Sequence, residues 1–427
     1  MSQTIRPPRR RRRPVAGHAV LSSPSPVGIV MKVAAIVAAV GVVSVMGIVS
    51  FAAYDLTSSF TEDAVALEGQ ESVPPDIGAI EGGVNLLVVG TDECEEKYAK
   101  YFPTRCSGAT ATGQLNDVNL LVHISDEPRR VTVISFPRDL MVPIPSCTSE
   151  DGTPSSAISV SQINAAWGYG GLNCVVKTVS QLSGENIPFA AKVSFGNVIA
   201  ITDAIGGVEV CIGNGGIRDS HTGINWPAGM RTVKGFEALQ FLRTRHGLQN
   251  GSDLARISNQ QQYMSRLSRK LVSEEVLSSP TTLLRLATTA VQNVTPSQSL
   301  TNPMTLVQVA LAVKDVPFDE IVFVQYPVVE YAPDPNRVAP NYDAAKQLWA
   351  ALRANSQLAV TSDPNNTGGV VTVTPTETPR PQPSPTGTPT PGATEAPAPA
   401  DEVVELPSTI PGTTAADETC SAGNLRG

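Results

Sequence analysis

The segment from about residue 26 to residue 53 is almost wholly apolar, and it constrains the chain more than any other feature. Lys32 is its one charged residue. A run of this length suffices to cross a bilayer as a single helix. A cleavable signal peptide is the alternative, but the run is longer than a signal h-region and no small-residue cleavage site clearly closes it. We therefore predict an uncleaved transmembrane anchor over residues 27–53.

The charges that precede this run predict its orientation. Arg6 and the block Arg9–Arg13 lie before it, and no acidic residue occurs before Asp55. Positive charge marks the cytoplasmic flank of a membrane segment. We therefore predict a single-pass type II protein of the cell membrane, with an Arg-rich cytoplasmic segment over residues 1–26 and all later residues outside the cell.

The charge balance argues against a nucleic-acid partner. The chain holds 31 basic and 39 acidic residues. Seven of the basic residues lie in or before the membrane segment, so 24 basic residues face 39 acidic ones in the outer part, a net charge of −15. Proteins that bind nucleic acids carry the opposite balance.

Composition divides the outer part into three regions. Residues 54–80 are polar and mixed, and we interpret them as an extracellular linker. Residues 81–355 have globular composition, long enough for one large core. Residues 356–427 are rich in proline and threonine, and such a segment buries too little apolar surface to fold. We predict a disordered tail there.

Apolar runs of strand length alternate with helical periodicity through the globular region. Residues 119–124 and 131–136 flank a turn and predict a hairpin. The alternation predicts an α/β fold with a central mixed β-sheet flanked by helices. The other strand-like runs are 84–89, 208–212 and 321–326, and the helix-like runs are 172–182, 253–271 and 343–353.

Three arginines and an amide follow one another closely near the middle of this region. If residues 238–245 form a strand, Arg243 and Arg245 share one face. Arg256 and Gln260 lie four apart at the start of a predicted helix and share one face as well. Guanidinium groups pair bidentately with phosphate, so this set suits an anion with several oxygens. Surface salt bridging is the alternative, since exposed arginines are common.

Carboxylates stand at neighbouring strand ends. Asp92 follows the first predicted strand and Asp117 precedes the second. Two carboxylates there suit Mg²⁺, which takes one or two protein carboxylates and fills its shell with water and phosphate. Turn-forming aspartate is the alternative. Arg138 and Asp139 end the next strand and predict a phosphate contact and a candidate base, although a structural Arg-Asp step is more frequent.

Two further residue types bear on the outer domain. His246, next to the arginines, is a candidate proton shuttle, although a lone histidine is more often structural. Disulfides form outside the cell. We predict the pairs Cys94–Cys106 and Cys147–Cys174, and the pairing of Cys211 and Cys420 stays open.

Six segments in order resemble the motifs of the LytR–CpsA–Psr family, over roughly residues 81–270. The resemblance implies an α/β enzyme that moves a glycopolymer from a polyprenyl-pyrophosphate carrier to peptidoglycan, with Mg²⁺ at the pyrophosphate. The segments are NLLVVGTD (85–92), NDVNLLVHIS (116–125), VTVISFPRDLMVPIP (131–145), INAAWGYGG (163–171), DAIGGVEVCI (203–212) and ALQFLRTRHGLQNGSDLARISNQQQ (238–262).

The resemblance also implies roles for single residues. Those implied to hold the metal are Asp92 and Asp117. Our own hypothesis for the base is Asp117 or Asp139. The implied pyrophosphate contacts are Arg138, Arg243, Arg245, Arg256 and Gln260.

One position departs from the family pattern. The family often has an arginine two residues before the second-motif aspartate, where this chain has Leu115. Two alternative functions stay open at this point. A non-catalytic polyprenyl-phosphate-binding wall protein would need the anion site without turnover, and a polyprenyl-pyrophosphate pyrophosphatase would use water as the acceptor.

Overall fold

The computed structural model describes fourteen stretches of the chain, all within the compact unit Leu56–Gly427. The predicted cytoplasmic segment and anchor lie outside the described residues. None of the helices that are described is both long and apolar enough to cross a bilayer. The stretches are 61, 64–70, 83–103, 105–107, 114–149, 151–213, 215–271, 285–286, 288–290, 292–302, 305, 308–309, 312–373 and 403–423.

Helices and strands alternate along the described part. The helices used below are α1 (Trp167–Ser183), α2 (Phe195–Ile205), α3 (Gly235–Arg243), α4 (Asp253–Leu271) and α5 (Tyr342–Arg353). The strands are β1 (Val84–Thr91), β2 (Asn116–Ile124), β3 (Val131–Phe136), β4 (Met141–Ile144), β5 (Cys147–Thr148), β6 (Pro154–Ser155), β7 (Ile158–Gln162), β8 (Phe189–Ser194), β9 (Val208–Ile212), β10 (Ile217–Asp219), β11 (Ile224–Trp226), β12 (Gly229–Val233), β13 (Thr295–Pro296), β14 (Ile321–Gln325), β15 (Val328–Glu330), β16 (Val338–Pro340), β17 (Gln357–Ala359), β18 (Val370–Thr372), β19 (Val403–Glu405), β20 (Gly412–Thr414) and β21 (Thr419–Ser421).

A seven-stranded mixed sheet, in the order β13-β8-β1-β2-β3-β14-β20, lies at the centre. β1, β2 and β3 are antiparallel neighbours, whereas β8 and β14 join them in parallel at either side. The predicted hairpin is confirmed, with Asn119 opposite Phe136. The mixed sheet with flanking helices confirms the predicted fold class.

Alternation along β1 sends its side chains to two different environments. Leu87 and Val89 are fully buried in a core that also contains residues of α1 and α5. Val88 and Gly90 point to the other face, where they line a cavity beneath α2, α3 and α4. A strand with period two therefore separates a filled core from an open cavity.

The predicted arginine strand is wrong. Residues 235–243 form helix α3, and Arg245 lies in the loop that follows. Ala238, Phe241 and Leu242 are spaced i, i+3 and i+4, which is the helical pattern, and helix α3 buries Ala238 and Phe241 completely. The helix predicted over residues 253–271 is confirmed as α4.

The C-terminal residues differ from the predicted disordered tail. β20 pairs with β14 at the edge of the central sheet, and β21 pairs with β18 and β9. Ile410 and Ala415 are fully buried. The prediction rested on the average composition of residues 356–427. The short segment 403–423 has few apolar residues, but these pack against the core formed by the rest of the domain.

Three disulfides connect the described cysteines. Cys94–Cys106 and Cys147–Cys174 form as predicted, and Cys211–Cys420 joins the pair that the sequence left open. The third bond connects β9 to β21, so it attaches the C-terminal segment to the domain.

The Cys211–Cys420 bond should stabilise the fold most. It closes a loop between cysteines that are 209 residues apart, whereas the cysteines of Cys94–Cys106 are 12 residues apart. Chain-entropy arguments give a loss of about 5 kcal/mol for the long loop and about 3 kcal/mol for the short one. We expect C211A/C420A to lower the free energy of unfolding more than C94A/C106A in denaturant titrations. Equal losses would contradict this role.

Burial of His123 should make stability depend on pH. The Asn85 amide donates to the Asn186 carbonyl, so its oxygen faces Nδ1 of His123 at 2.9 Å. Nε2 is buried with no hydrogen-bond partner among the described residues. Desolvation lowers the pKa of His123 from 6.5 to about 4.

The sign follows from the lowered pKa, because the unfolded chain binds a proton that the folded chain excludes. This contribution is fully present above pH 6.5 and is lost as the pH falls towards 4, to a total of about 3 kcal/mol. We expect His123→Gln to remove that part of the pH slope of the unfolding free energy. Identical slopes in both proteins would rule out His123 as its source.

Candidate active site

A cavity of about 420 Å³ lies between one face of the central sheet and helices α2, α3 and α4. One part of its wall is apolar and comes from both the sheet and the helices. The other part carries charged and polar side chains at the ends of β2 and β3. The apolar lining includes Val88, Leu120, Val198, Ile201, Leu239, Met264 and Leu267.

Helix α4 supplies a continuous stripe to the cavity. Arg256, Gln260, Met264 and Leu267 lie on one helical face, with polar residues first and apolar residues after them. Ser252 caps the helix, since its hydroxyl accepts the Ala255 N–H at 3.0 Å. The polar residues of this stripe line the polar part of the cavity, and its apolar residues line the apolar part.

Two amides of α4 fix it against the end of α3. The Asn259 amide donates to the Phe241 carbonyl at 3.1 Å, and the Gln260 amide donates to the Leu242 carbonyl at 2.9 Å. Carbonyls in the last turn of a helix lack partners within the helix. These bonds satisfy two of them and place Arg243, the last residue of α3, beside Arg256 of α4.

The arginines at the polar end share carboxylates. Arg138 Nη1 donates to Asp117 Oδ1 at 3.2 Å, and Arg138 Nε lies 3.6 Å from Asp253 Oδ1. Arg256 Nη2 lies 2.7 Å from the same Asp253 oxygen and donates to the main-chain carbonyl of Asp117 at 3.1 Å. Asp253 therefore bridges two arginines that come from distant parts of the sequence.

Arg243 differs from Arg138 in its electrostatic environment. Burial tends to lower the pKa of Arg138, but Asp117, Asp253 and Asp139 together raise the pKa above its ordinary value. For Arg243, burial is the largest effect, and the pKa falls below its ordinary value. The neighbouring carboxylates, Asp117 among them, do not compensate for this burial. Arg243 is thus a half-buried cation whose charge the nearby carboxylates only partly balance.

Aromatic rings hold the Arg243 guanidinium in place. Its carbon lies 5.1 Å from the centre of the Phe102 ring and 4.7 Å from that of Phe195. Such cation–π contacts orient a guanidinium without neutralising it. Within the described residues Arg243 forms no ion pair with a carboxylate, so its charge remains available to a ligand in the cavity.

Arg245 is positioned by a buried carboxylate. Burial alone raises the pKa of Asp219, but four hydrogen bonds outweigh it and hold the pKa below its ordinary value. The donors include the Arg245 N–H at 3.0 Å and the Thr244 hydroxyl at 2.8 Å. The Arg245 side chain then donates to the Gly251 carbonyl at 2.7 Å.

The structure brings six of the eight predicted site residues to this cavity and places two outside its lining. Asp92 accepts hydrogen bonds from Leu115 N at 2.8 Å and Arg105 Nε at 3.1 Å. Asp139 forms an ion pair with Arg337. The six that line the cavity are Asp117, Arg138, Arg243, Arg245, Arg256 and Gln260.

Some residues of the site escaped the sequence analysis. Asp253 was detectable, since it lies three residues before Arg256 on the same helix. His221 lines the cavity with its ring 4.2 Å from that of His246, the predicted proton shuttle. Arg105 contacts Asp92 from within the Cys94–Cys106 loop, opposite the Leu115 main chain. No local sequence pattern predicts the contact of His221 with His246 or that of Arg105 with Asp92.

The carboxylates Asp117 and Asp92 would be enough for a metal ion only if a bound ligand contributed further oxygen atoms. Within the described residues, no three side chains of the His, Cys, Asp and Glu types are grouped closely enough to hold a metal. Asp117 faces the cavity, and both Asp117 and Asp92 act electrostatically on Arg243. Carboxylates are ligands of the kind that Mg²⁺ takes, but both oxygens of Asp92 already accept hydrogen bonds, from Leu115 N and Arg105 Nε.

Comparison with known proteins assigns the family. The model of the LytR_cpsA_psr family matches residues 50–354, which is most of the chain. The chain belongs to the LytR_cpsA_psr family. The match contains all eight predicted site residues and the cavity they surround.

Named members of the family act in cell-wall assembly. The cell wall biosynthesis protein LcpA of Corynebacterium glutamicum is 26% identical over 238 residues, or 51% of this chain and 46% of LcpA. This chain therefore spans about half the length of LcpA. TagT of Bacillus subtilis, named a polyisoprenyl-teichoic acid–peptidoglycan teichoic acid transferase, is 24% identical over 56% of this chain and 70% of TagT.

A solved structure is similar to this chain in its fold. Protein gbs0355 from Streptococcus agalactiae aligns with a TM-score of 0.50 and 17% identity, over 64% of this chain and 87% of that chain. At this identity the likeness concerns the fold alone.

Asp253 should hold the polar end of this family member's cavity together. In Asp253→Asn the half-buried Arg138 and the buried Arg256 lose the negative charge that they share, which should cost about 3 kcal/mol of stability. Inorganic pyrophosphate should recover part of this loss and raise the melting temperature more in the variant than in the wild type.

Asp315→Asn provides the control in the same thermal-shift experiment. Asp315 is an exposed carboxylate next to Lys314, and its loss should change neither stability nor the response to pyrophosphate. Equal behaviour of the two variants would contradict the bridging role of Asp253.

Proposed function

We propose that this protein transfers a glycopolymer from a polyprenyl-pyrophosphate carrier to peptidoglycan. The observation that carries the proposal is Arg243, which forms no ion pair with a carboxylate among the described residues and lies at the junction of the polar and apolar parts of one cavity. A ligand that completes this site must be anionic at one point and apolar next to it. A polyprenyl pyrophosphate combines these two properties.

The arginines supply the contacts that a pyrophosphate requires. Arg243 and Arg256 lie on adjacent helix ends, and Arg138 faces them from the end of β3. Guanidinium groups pair with phosphate through parallel hydrogen bonds, which fix the anion as well as attract it. Gln260 commits its amide nitrogen to Leu242, so its carbonyl oxygen remains for a ligand hydroxyl.

The apolar part of the cavity would receive the prenyl chain. Its walls are aliphatic side chains of the sheet and of helices α2, α3 and α4. A cavity of about 420 Å³ is within the usual range of small-ligand pockets, so it accommodates the first isoprene units while the rest of the chain extends outward. The predicted anchor would keep the domain close to the membrane that carries this lipid.

Asp117 and Asp92 would hold a magnesium ion together with pyrophosphate oxygens. Bound there, Mg²⁺ would neutralise charge on the leaving phosphate. The proposed arginines serve the same purpose from the opposite side. Arg105 already balances the charge of Asp92, so removal of magnesium should weaken donor binding less than removal of Arg243 does.

The reaction would proceed by attack of an acceptor hydroxyl on the glycan-linked phosphorus. The new oxygen–phosphorus bond forms as the bond to the prenyl phosphate breaks, and Arg138, Arg243 and Arg256 stabilise the charge that develops on the departing phosphate. The hydroxyl proton would pass to Asp117, which lines the cavity. Asp139 is a poorer candidate, because it lies outside the cavity lining and forms an ion pair with Arg337.

Arg243→Ala should abolish most of the transfer. A hydrogen bond to a charged group contributes about 1.5–3 kcal/mol, so we expect the rate at low donor concentration to fall by about 10- to 100-fold. The assay follows a labelled lipid-linked glycan onto cell-wall fragments. The transfer rate of Arg243→Lys should lie between those of the wild type and Arg243→Ala, since lysine keeps the positive charge but cannot form the paired hydrogen bonds of a guanidinium group.

Arg353→Ala is the matched control, since it removes an exposed arginine whose partner is Glu185, away from the cavity. Its transfer rate should equal that of the wild type. Equal rates for Arg243→Ala would overturn the proposed site. Phosphate release without an acceptor would identify a pyrophosphatase instead, and donor binding without turnover would identify a receptor.

A further inference from the structure

A second cavity, of about 700 Å³, lies on the other side of the central sheet from the first. Lys192 of β8 points into it, whereas the next residue, Val193, points into the arginine-lined cavity. Adjacent residues of a strand face opposite sides of a sheet. The polar groups of this second cavity are Glu68, Glu93, Gln114, Trp167, Asn173 and Lys192.

The two cavities share the same strand ends. Gly90 and Asp117 line the first cavity, and Glu93 and Gln114, only three residues away from each, line the second. The second cavity therefore opens at the end of the sheet where the proposed reaction takes place.

Trp167 is held firmly at the wall of the second cavity. Its indole N–H donates to Gln114 Oε1 at 2.8 Å, and its main-chain N–H donates to Asn116 Oδ1 at 3.2 Å. Lys192 Nζ lies 5.9 Å from the ring centre. The ring is half-buried, so one part packs on the protein while another part faces the cavity.

The charges in the second cavity are paired. Lys192 Nζ lies 3.1 Å from both carboxylate oxygens of Glu93, and Lys177 Nζ lies 3.4 Å from Glu68. The first cavity instead has an excess of guanidinium groups. A site with paired charges, amides and an aromatic ring suits an uncharged molecule with many hydroxyl groups, since carboxylates and amides accept and donate hydrogen bonds while the ring packs on C–H surfaces.

We propose that the second cavity binds a saccharide, namely the glycan of the acceptor, and this identification of the acceptor rests on the proposed function. The donor lipid occupies the cavity on the helix α4 side. A displacement at phosphorus requires the attacking and leaving oxygens to lie roughly in line on opposite sides. An acceptor that approaches from the opposite face of the sheet meets this requirement, whereas a second site for the donor glycan does not.

Binding of an uncharged oligosaccharide tests this proposal without any transfer reaction. The probe is a tetramer of β-1,4-linked N-acetylglucosamine, titrated calorimetrically into the full-length protein. We expect Trp167→Ala to raise the dissociation constant by about tenfold or more, since ring packing and apolar burial together exceed about 1.4 kcal/mol. Trp167→Phe should stay close to the wild type. Tyr342→Ala, which removes an exposed ring that lines neither cavity, should bind as the wild type does.

A second ligand and a second variant make the outcomes decisive. Gln114→Ala keeps the ring but removes the acceptor of its indole N–H, so it should weaken tetramer binding even if Trp167→Ala folds poorly. A short-chain prenyl-pyrophosphate disaccharide should bind all these variants as it binds the wild type. No tetramer binding by the wild type, or equal binding by Trp167→Ala, would overturn the saccharide site.

Loss of the prenyl ligand alone in Trp167→Ala would assign the cavity to the donor glycan and overturn the acceptor assignment. The proposed function fails separately, through an unchanged transfer rate in Arg243→Ala. Tetramer binding that depends on Trp167 would stand in that case as a saccharide site without the transferase reaction.

Discussion

The charge of Asp253 is the interaction on which the polar end of the cavity depends. Arg138 and Arg256 come from the end of a strand and the start of a helix, and both approach this one carboxylate. Two like charges held close together repel, and a carboxylate placed between them offsets that repulsion. Asp253 has this position for Arg138 and Arg256. Among the described residues, Arg243 has no equivalent ion pair, so the polar end of the cavity carries positive charge that the neighbouring carboxylates balance only in part.

The antiparallel pairing of β1 and β2 brings both cavities to one edge of the central sheet. The end of β1 and the start of β2 lie at this edge. Residues of the segments 90–93 and 114–118, which continue from these ends, line one cavity on one face of the sheet and the second cavity on the other face. The Cys94–Cys106 loop lies between these segments in the chain and brings Arg105 to Asp92 and Phe102 to Arg243. A loop closed by a disulfide thus helps to position an arginine of the first cavity.

The sequence predicted the sheet, the hairpin, helix α4 and most residues of the cavity, because these depend on local periodicity and on residue types at strand ends. It placed Arg243 on a strand and not on α3. The four apolar residues within 238–245 fit the period of a strand as well as that of a helix. It assigned Asp139 to the site, but that carboxylate pairs with Arg337, which lies 198 residues away in the chain. The contact of Asp253 with Arg138 and the burial of the segment 403–423 likewise depend on residues distant in the chain, whereas the contact of Asp253 with Arg256 follows from their spacing on one helix.

The attachment of residues 403–423 to the domain links the C-terminal strands to the helix that carries Arg256. The Ser421 hydroxyl donates to Asn259 Oδ1 at 2.6 Å, and the amide of Asn259 donates to the Phe241 carbonyl at the end of α3. Arg269 Nε donates to the Ala415 carbonyl at 2.6 Å. Helix α4 is therefore held by the C-terminal strands on the side away from the cavity, so a protein cut before β19 would lose part of the support of its arginine cluster.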